Sequence, residues 1–207
     1  MSSYSKNLVL AGYDRIADKY LELFGVSKVR QKWFDQLVDR VPNTGANILD
    51  LGCGAGIPVA RDLCSLGHNV IGVDGSKEQI AKAKINVPDA EFIQSDMTEL
   101  DFPESSFDGI SAFYSMTHLP AQEQCRLISN ISFWLKPGAT FIGSFGSGDA
   151  GSWTGEWLGV PMFFDHNSET TTLDCFRKNS LNIREYTVEQ QDNEDVSFLW
   201  VEAIKID

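Results

Sequence analysis

The chain has 207 residues, of which 43% are hydrophobic, and its 17 basic and 29 acidic side chains give a net charge of −12. A chain of this length and apolar content fills one core, so we expect a single domain. The negative balance repels phosphate groups, which argues against nucleic acid and anionic membranes as partners. No segment reaches the roughly 18 apolar residues that span a bilayer. The first apolar run is also too short for a signal peptide, so we expect a cytoplasmic protein.

The four cysteines, Cys53, Cys64, Cys125 and Cys175, are widely separated and form no C-x-x-C pair. Their spacing indicates neither a zinc site nor a disulfide framework. We therefore expect no metal site, and four free thiols in a reducing compartment.

Two helices are predicted at the start of the chain. Residues 7–24 have apolar positions three and four apart, which is the pattern of one helix face, and Gly25 would end this helix. A second stripe of the same kind covers 30–38 and stops before Pro42.

The pattern then changes to short apolar strands that alternate with helices. Helix starts between the strands are marked by Pro58, by a capping box from Ser76 to Gln79, and by Pro120. Strands separated by helices pair in parallel, because a parallel connection needs a long crossover. A K-P-G turn at 136–138 is expected to lead into the fifth strand. The five strands are expected at 47–51, 69–73, 91–94, 107–113 and 139–145.

The end of the chain departs from this alternation. Residues 182–189 and 196–206 are two strands joined by a short polar loop, which predicts an antiparallel hairpin. The predicted fold class is therefore α/β, a doubly wound, mostly parallel seven-stranded sheet that finishes with an antiparallel pair.

The stretch I-L-D-L-G-C-G-A-G-I-P, residues 48–58, runs from a strand into three glycines. Such a turn lets a ligand approach bare backbone amides at the start of the next helix. Ile57 occupies the position of the third glycine in the dinucleotide fingerprint, and no G-K-[ST] follows, so neither a dinucleotide site nor a P-loop is indicated. Asp50 supports this interpretation, because its carboxylate would repel a diphosphate but suits an amine or a sulfonium.

Two more aspartates stand at strand ends. Asp74 follows the second strand, 20 residues after Gly54, the distance at which a carboxylate accepts ribose hydroxyls, and Asp96 follows the third strand. Each also has a local interpretation, since Asp74 with Ser76 could cap a helix and Asp96 could cap a turn before Met97. Three aspartates around one glycine turn favour a nucleoside cofactor over these separate roles.

These segments resemble the class I S-adenosylmethionine-dependent methyltransferases, in their small-molecule branch. The resemblance covers 45–145 and implies a Rossmann-like methyltransferase fold with S-adenosylmethionine as cofactor. The segment Y-D-x-I-A-x-x-Y, from Tyr13 to Tyr20, resembles the N-terminal cover of that branch. The matching motifs are L-D-L-G-C-G-A-G, G-V-D-G-S, Q-S-D-M, F-D-G-I-S-A-F-Y-S-M-T-H-L and W-L-K-P-G-A-T-F.

The resemblance also implies roles for individual residues. Asp50 would lie close to the methionyl ammonium group, Asp74 would take the ribose diol, and Asp96 with Met97 would meet the adenine. The backbone at Phe113 would lie near the sulfonium. The implied cofactor-binding set is Tyr20, Asp50, Gly52, Cys53, Gly54, Gly56, Asp74, Gly75, Ser76, Asp96, Met97 and Phe113.

Residues 146–169 are rich in glycine and aromatic residues and are expected to form an irregular loop above the crevice. One interpretation is an aromatic, largely apolar acceptor pocket, and the other is a side cluster that only buries the rings. His118 and His166 are the candidate general bases. The candidate acceptor-binding residues are Tyr13, Trp153, Trp157 and Phe163.

Within the single domain we expect four parts. They are an N-terminal helical cover (1–42), a cofactor-binding core (45–145), an acceptor loop (146–169) and a C-terminal helix with hairpin (170–207). The expected function is methyl transfer to a small apolar or aromatic metabolite, at oxygen, nitrogen or carbon. The alternative is a protein that binds the cofactor without transferring its methyl group, as a regulator or as a catalyst of another reaction.

Overall fold

The structure is a computed structural model and describes residues 2–192 and 194–206. The sequence predicted the two N-terminal helices correctly, with boundaries that differ by a few residues. In chain order the elements are α1 (Ser2–Phe24), α2 (Lys28–Arg40), β1 (Asn47–Leu51), α3 (Val59–Ser65), β2 (Asn69–Asp74), α4 (Lys77–Asn86), β3 (Glu91–Gln94), β4 (Phe107–Ala112), α5 (Ala121–Trp134), β5 (Leu135–Gly146), β6 (Gly151–Trp157), β7 (Val160–His166), α6 (Glu169–Lys178), β8 (Leu181–Gln190) and β9 (Ser197–Lys205).

Seven strands form one sheet in the order β3-β2-β1-β4-β5-β9-β8. The first five pair in parallel, whereas β9 runs antiparallel to both β5 and β8. This confirms the predicted fold class. Apolar clusters cover both faces of the sheet: Ile48 and Leu49 are neighbours in β1 but belong to different clusters, because successive strand side chains point to opposite faces.

The segment after β5 is a β-hairpin, so the expectation of an irregular loop was wrong. β6 and β7 pair antiparallel around a turn in which Leu158 and Gly159 have φ angles of 52° and 84°. Two positive φ angles define a type I′ turn, but the sequence lacks the Asn-Gly or Asp-Gly pair that usually signals it. The hairpin packs on α1 through Val9, Ile16, Val160, Met162 and Phe163.

The K-P-G segment at 136–138, expected as a turn ahead of the fifth strand, lies inside that strand. β5 already begins at Leu135, which pairs with Phe107, and the register then shifts so that Thr140 pairs with Gly109. The expected turn is therefore an irregularity inside β5, with Gly138 at a φ of 79°. Such insertions bend a strand without ending it.

Cys125 on α5 and Cys175 on α6 form a disulfide, with their Cα atoms 5.4 Å apart. The expectation of four free thiols was wrong for this pair, because only the packing of α5 against α6 brings together cysteines that are 50 positions apart. Cys53 and Cys64 are free. Disulfides are rare in reducing compartments, so the cytoplasmic location stays a prediction.

Two features are absent from residues 2–192 and 194–206, the part of the chain that the structure describes. No group of three or more His, Cys, Asp or Glu side chains in this part of the chain is arranged to hold a metal ion. No helix within 2–192 and 194–206 has the length and apolar character needed to cross a bilayer.

Candidate active site

The turn after β1 has a backbone that favours glycine. Gly52, Gly54 and Gly56 have φ angles of 78°, 53° and 76°, a region that other residues rarely adopt. The backbone amides of Gly52 and Cys53 donate to the carbonyl of Val73 at 2.7 and 3.0 Å. These bonds hold the turn against the end of β2, where the predicted ribose-binding carboxylate follows.

Gly52→Ala is expected to destabilise the protein more than Gly45→Ala. Both glycines have φ above 70°, so each alanine carries left-handed backbone strain. The added Cβ meets nothing within 4 Å at Gly45, whereas at Gly52 it overlaps the Ser115 side chain. In thermal denaturation we expect Tm to fall by about 4 °C for Gly45→Ala and by about 10 °C for Gly52→Ala. Equal shifts would show that contact with Ser115 does not matter.

The turn opens into a crevice at the carboxyl ends of the parallel strands, covered by α1. A second, adjoining cavity shares Tyr20, Gly52, Gly54 and Phe113 with the crevice and also contains Asp50 and Cys53. The sequence-predicted residues that line the crevice are Tyr13, Tyr20, Gly52, Gly54, Asp74, Gly75, Asp96, Met97, Phe113 and His118.

Asp74 has the local contacts that the sequence offered as one of its two interpretations, and its ribose contact stays a prediction. Its Oδ1 accepts from the Ser76 amide at 2.8 Å and its Oδ2 accepts from the Gly54 amide at 3.0 Å. Ser76 in turn caps α4 by accepting from the Gln79 amide at 3.2 Å. Asp74 still lines the crevice, and burial raises its pKa to about 6. A partly buried carboxyl with a raised pKa is typical of a binding site.

Asp50 is 3% exposed, and its Oδ1 accepts from the Ser111 hydroxyl at 2.8 Å. Burial raises the pKa of Asp50 to about 7, and the nearby Asp74 contributes to the increase. No basic side chain of the described residues forms an ion pair with either carboxyl. The guanidinium of Arg30, whose charge partly offsets the shift, donates to the carbonyls of Phe24 and Gly25. Among the described residues neither carboxyl therefore has an ion-pair partner, and Arg30 lines the same cavity as Asp50 without contacting it in a salt bridge.

Asp96 lies at the far end of the crevice and has strong partners. Lys6 on α1 donates to its Oδ2 at 2.7 Å, while the backbone amide and hydroxyl of Thr98 both donate to its Oδ1 at 2.8 Å. Burial opposes ionisation of Asp96, but these donors lower its pKa. The capping interpretation is confirmed by the Thr98 bond, and the adenine contact stays a prediction. Lys6 also pairs with Glu123.

His118 has both ring nitrogens engaged. Because the Phe163 carbonyl can only accept, Nδ1 carries the proton and donates to it at 3.1 Å. Nε2 then accepts from the Tyr13 hydroxyl at 2.8 Å. Burial lowers the pKa of His118 to about 4, so the ring is neutral near pH 7. His118 thus orients Tyr13, which itself lines the crevice.

Some predicted residues lie away from the crevice. Gly56 packs under Phe92, where an added Cβ would be 3.1 Å from the ring, so it serves packing of the turn. Ser76 is buried and donates to Asp14 at 2.6 Å. The side chain of Phe163 is buried in the cluster between α1 and the hairpin, so only its carbonyl acts on the site. That part of the acceptor prediction fits the side-cluster alternative.

Trp153 and His166 line a large open cleft of about 870 Å³ beside the hairpin. Between this cleft and the crevice lies a smaller space of about 30 Å³, which we call the aromatic cage. The cage shares Tyr13, Tyr20 and His118 with the crevice, and Trp157 with the cleft. Its rings are those of Tyr13, Tyr20, Phe24, Tyr114, Trp157, Phe164 and Phe198.

Sequence reasoning missed several residues of this site. Gln79 lines the crevice and the second cavity, and its buried Oε1 has no hydrogen-bond partner in the described part of the chain. In the sequence, Gln79 was interpreted only as the last residue of the capping box that starts at Ser76. Tyr114 lines the crevice with a φ of 58°, an unusual conformation that concentrates at functional sites. Glu194, which lines the cage from the β8–β9 loop, gave no signal in the sequence.

Known proteins show similarity in both sequence and structure. Residues 48–138 match a family described as a methyltransferase domain. The sterol 24-C-methyltransferase of Saccharomyces cerevisiae is 39% identical over 131 residues, which are 60% of this chain and 31% of that protein. The 27-O-demethylrifamycin SV methyltransferase of Amycolatopsis mediterranei is 29% identical over 167 residues, 70% of this chain and 61% of that protein. The chain thus spans between about a third and about three fifths of these relatives.

Among solved structures, the 1,6-didemethyltoxoflavin-N1-methyltransferase of Burkholderia thailandensis has a TM-score of 0.78 at 17% identity. The match covers 100% of this chain and 91% of that one. At this identity the likeness concerns the fold. Residues 48–138, which contain the glycine turn, Asp50 and Asp74, are therefore similar to a methyltransferase domain, and the whole chain has the fold of solved S-adenosylmethionine-dependent methyltransferases.

Proposed function

We propose that the crevice binds S-adenosylmethionine and that the protein transfers its methyl group to a small-molecule acceptor. The observation that carries this proposal is the pair of carboxyls, Asp50 and Asp74, beside the glycine turn, neither of which forms an ion pair within the described residues. A ligand with an ammonium group and a ribose supplies a positive charge for the first and two hydroxyl donors for the second. The orphaned Oε1 of Gln79, which lines the space between them, is a further acceptor for this ligand.

When bound, the cofactor supplies a methyl carbon that its sulfonium activates for in-line displacement. The chain therefore has to hold and align the acceptor and exclude water, which accounts for much of the rate in such reactions. The rings of Tyr13 and Tyr20, two residues of α1, cover the crevice, and their centroids are 5.4 Å apart. His118 fixes the Tyr13 hydroxyl, so we assign it a positioning role. His166 lies in the outer cleft and stays a candidate base.

The acceptor in this proposal is a small, apolar or aromatic metabolite. Its support is the adjoining aromatic cage and the open cleft beyond, which together lead from solvent to the cofactor crevice. The sequence relatives are named for a sterol and for a rifamycin, so the reactions of the family do not fix the acceptor or the methylated atom.

Transfer of label is the test of this proposal. The purified protein is incubated with methyl-labelled S-adenosylmethionine and an extract of small metabolites, with Asp74→Ala as the inactive control. We expect label in a small molecule with the wild-type protein only. Saturable cofactor binding without label transfer would favour the alternative of a binding protein. Failure to bind either S-adenosylmethionine or S-adenosylhomocysteine would contradict both.

A further inference from the structure

The aromatic cage contains more than apolar surface. Glu194 lines it, and the Glu194 Oε1 accepts from the indole N–H of Trp157 at 2.8 Å, which holds the carboxylate at the rings. Among the described residues no basic side chain forms an ion pair with Glu194. Burial raises the pKa of Tyr20 to about 12, the charge of Arg30 lowers it, and Tyr114, Asp74 and Glu194 raise it. Glu194 is therefore the acidic side chain of the cage lining.

Two buried oxygens in the wall of the cage also lack partners. Thr117 is 4% exposed and Gln191 is 6% exposed, and both line the cage. The Oγ1 of Thr117 and the Oε1 of Gln191 have no hydrogen-bond partner in the part of the chain that the structure describes. Because buried polar atoms are nearly always satisfied, these two oxygens point to a ligand that donates hydrogen bonds.

The rings of the cage pack around Trp157 as tilted and edge-to-face aromatic pairs. Trp157 lies 6.3 Å from Tyr13, 6.1 Å from Tyr20 and 5.6 Å from Phe164, measured between ring centroids. Aromatic faces attract a positive charge through their quadrupole, and a carboxylate at the rim adds to the attraction. An ammonium group also donates hydrogen bonds, which neutral apolar groups cannot do. The net charge of −12 favours the approach of a cation as well.

We propose that the aromatic cage binds a protonated amine carried by the methyl acceptor, with Glu194 as the counter-charge and with Thr117 and Gln191 as hydrogen-bond acceptors. This inference rests on the proposed function and narrows its substrate class to cationic amines. The cage is only large enough for a compact head group, so the rest of the acceptor lies in the outer cleft along Trp153 and Phe164.

The test compares phenethylamine with 2-phenylethanol, which differ in the charged head group. Binding of each is measured by calorimetry in the presence of saturating S-adenosylhomocysteine. We expect the wild-type protein to prefer the amine by about tenfold or more. Glu194→Gln is expected to reduce this preference to about threefold or less, since the cage keeps its rings but loses its charge. Thr117→Val keeps nearly the same side-chain shape, and it is expected to weaken binding of the amine more than binding of the alcohol.

Asp195→Asn is the matched control, because it removes the same charge one residue away, in the outer cleft and outside the cage. It should keep the amine preference. Equal binding of amine and alcohol to a wild-type protein that binds S-adenosylhomocysteine would overturn the inference and leave the proposed function standing. Equal losses in Glu194→Gln and Asp195→Asn would also overturn it, because the preference would then come from overall charge. Absence of S-adenosylhomocysteine binding would instead contradict the proposed function.

Discussion

Asp74→Ala is expected to weaken binding of S-adenosylhomocysteine by about 100-fold or more, measured by calorimetry. The carboxylate stands at the end of β2 and lines the crevice, where two ribose hydroxyls would lose a charged acceptor. The same substitution frees the amides of Gly54 and Ser76, which now donate to it at 3.0 and 2.8 Å. Both effects act on the cofactor, one directly and the other through the glycine turn.

Two further variants serve as controls for this prediction. Asp74→Asn keeps one carbonyl oxygen and the side-chain shape, so we expect it to retain the fold and still lose most of the affinity. Asp89→Ala removes an exposed aspartate ahead of β3 and is expected to bind like the wild type. Near-normal affinity in Asp74→Ala would show that the ribose lies elsewhere.

The affinity for S-adenosylhomocysteine is expected to rise with pH as Asp50 ionises. Burial raises the pKa of Asp50 to about 7, and burial raises that of Asp74 to about 6. The ligand carries an ammonium group, and only the ionised Asp50 carboxylate attracts it. Between about pH 7 and pH 6 affinity should therefore fall by up to about tenfold, and it should fall more steeply below pH 6, where Asp74 is protonated as well. Above about pH 7 it should level off.

The control for this pH dependence is Asp50→Asn. The amide has the shape of the carboxyl but does not titrate, so we expect weak binding, with the slope near pH 7 removed and only that of Asp74, near pH 6, remaining. A wild-type affinity that stays constant across this range would contradict a contact between Asp50 and the ligand's ammonium group.

Asp50 has the opposite effect on the stability of the ligand-free protein. Its folded-state pKa is above the value of 3.8 that an unperturbed group has, so the folded protein holds this proton more tightly. Stability from this group is therefore greatest below about pH 4 and is lost as pH rises to about 7. We expect cofactor binding near neutral pH to offset this loss, because the proposed contact with the ammonium group would stabilise the ionised form.

Local patterns in the sequence were sufficient to predict which residues of the glycine turn and the strand ends the structure brings together. The glycines, Asp50 and Asp74 lie at the ends of adjacent strands, and parallel pairing of β1 with β2 brings those ends together. Short-range signals such as Pro120 and the Ser76 cap also marked helix starts correctly.

The acceptor side could not be predicted in the same way, because it depends on contacts between distant segments. Trp157 meets Glu194 across 37 positions, and Tyr13 meets His118 across 105. The hairpin that positions Trp157 has a Leu-Gly turn in place of the usual Asn-Gly. Phe163 was assigned to the acceptor because of its ring, whereas the strand alternation of β7 turns that ring into the cluster with α1 and leaves its neighbour Phe164 facing the cage.

A crystal structure with bound S-adenosylhomocysteine would test the central claim most directly. The account predicts the ligand's amino group at Asp50, its ribose hydroxyls at Asp74 and its sulfur facing the aromatic cage. A ligand bound away from the glycine turn, or one whose ribose does not contact Asp74, would contradict it.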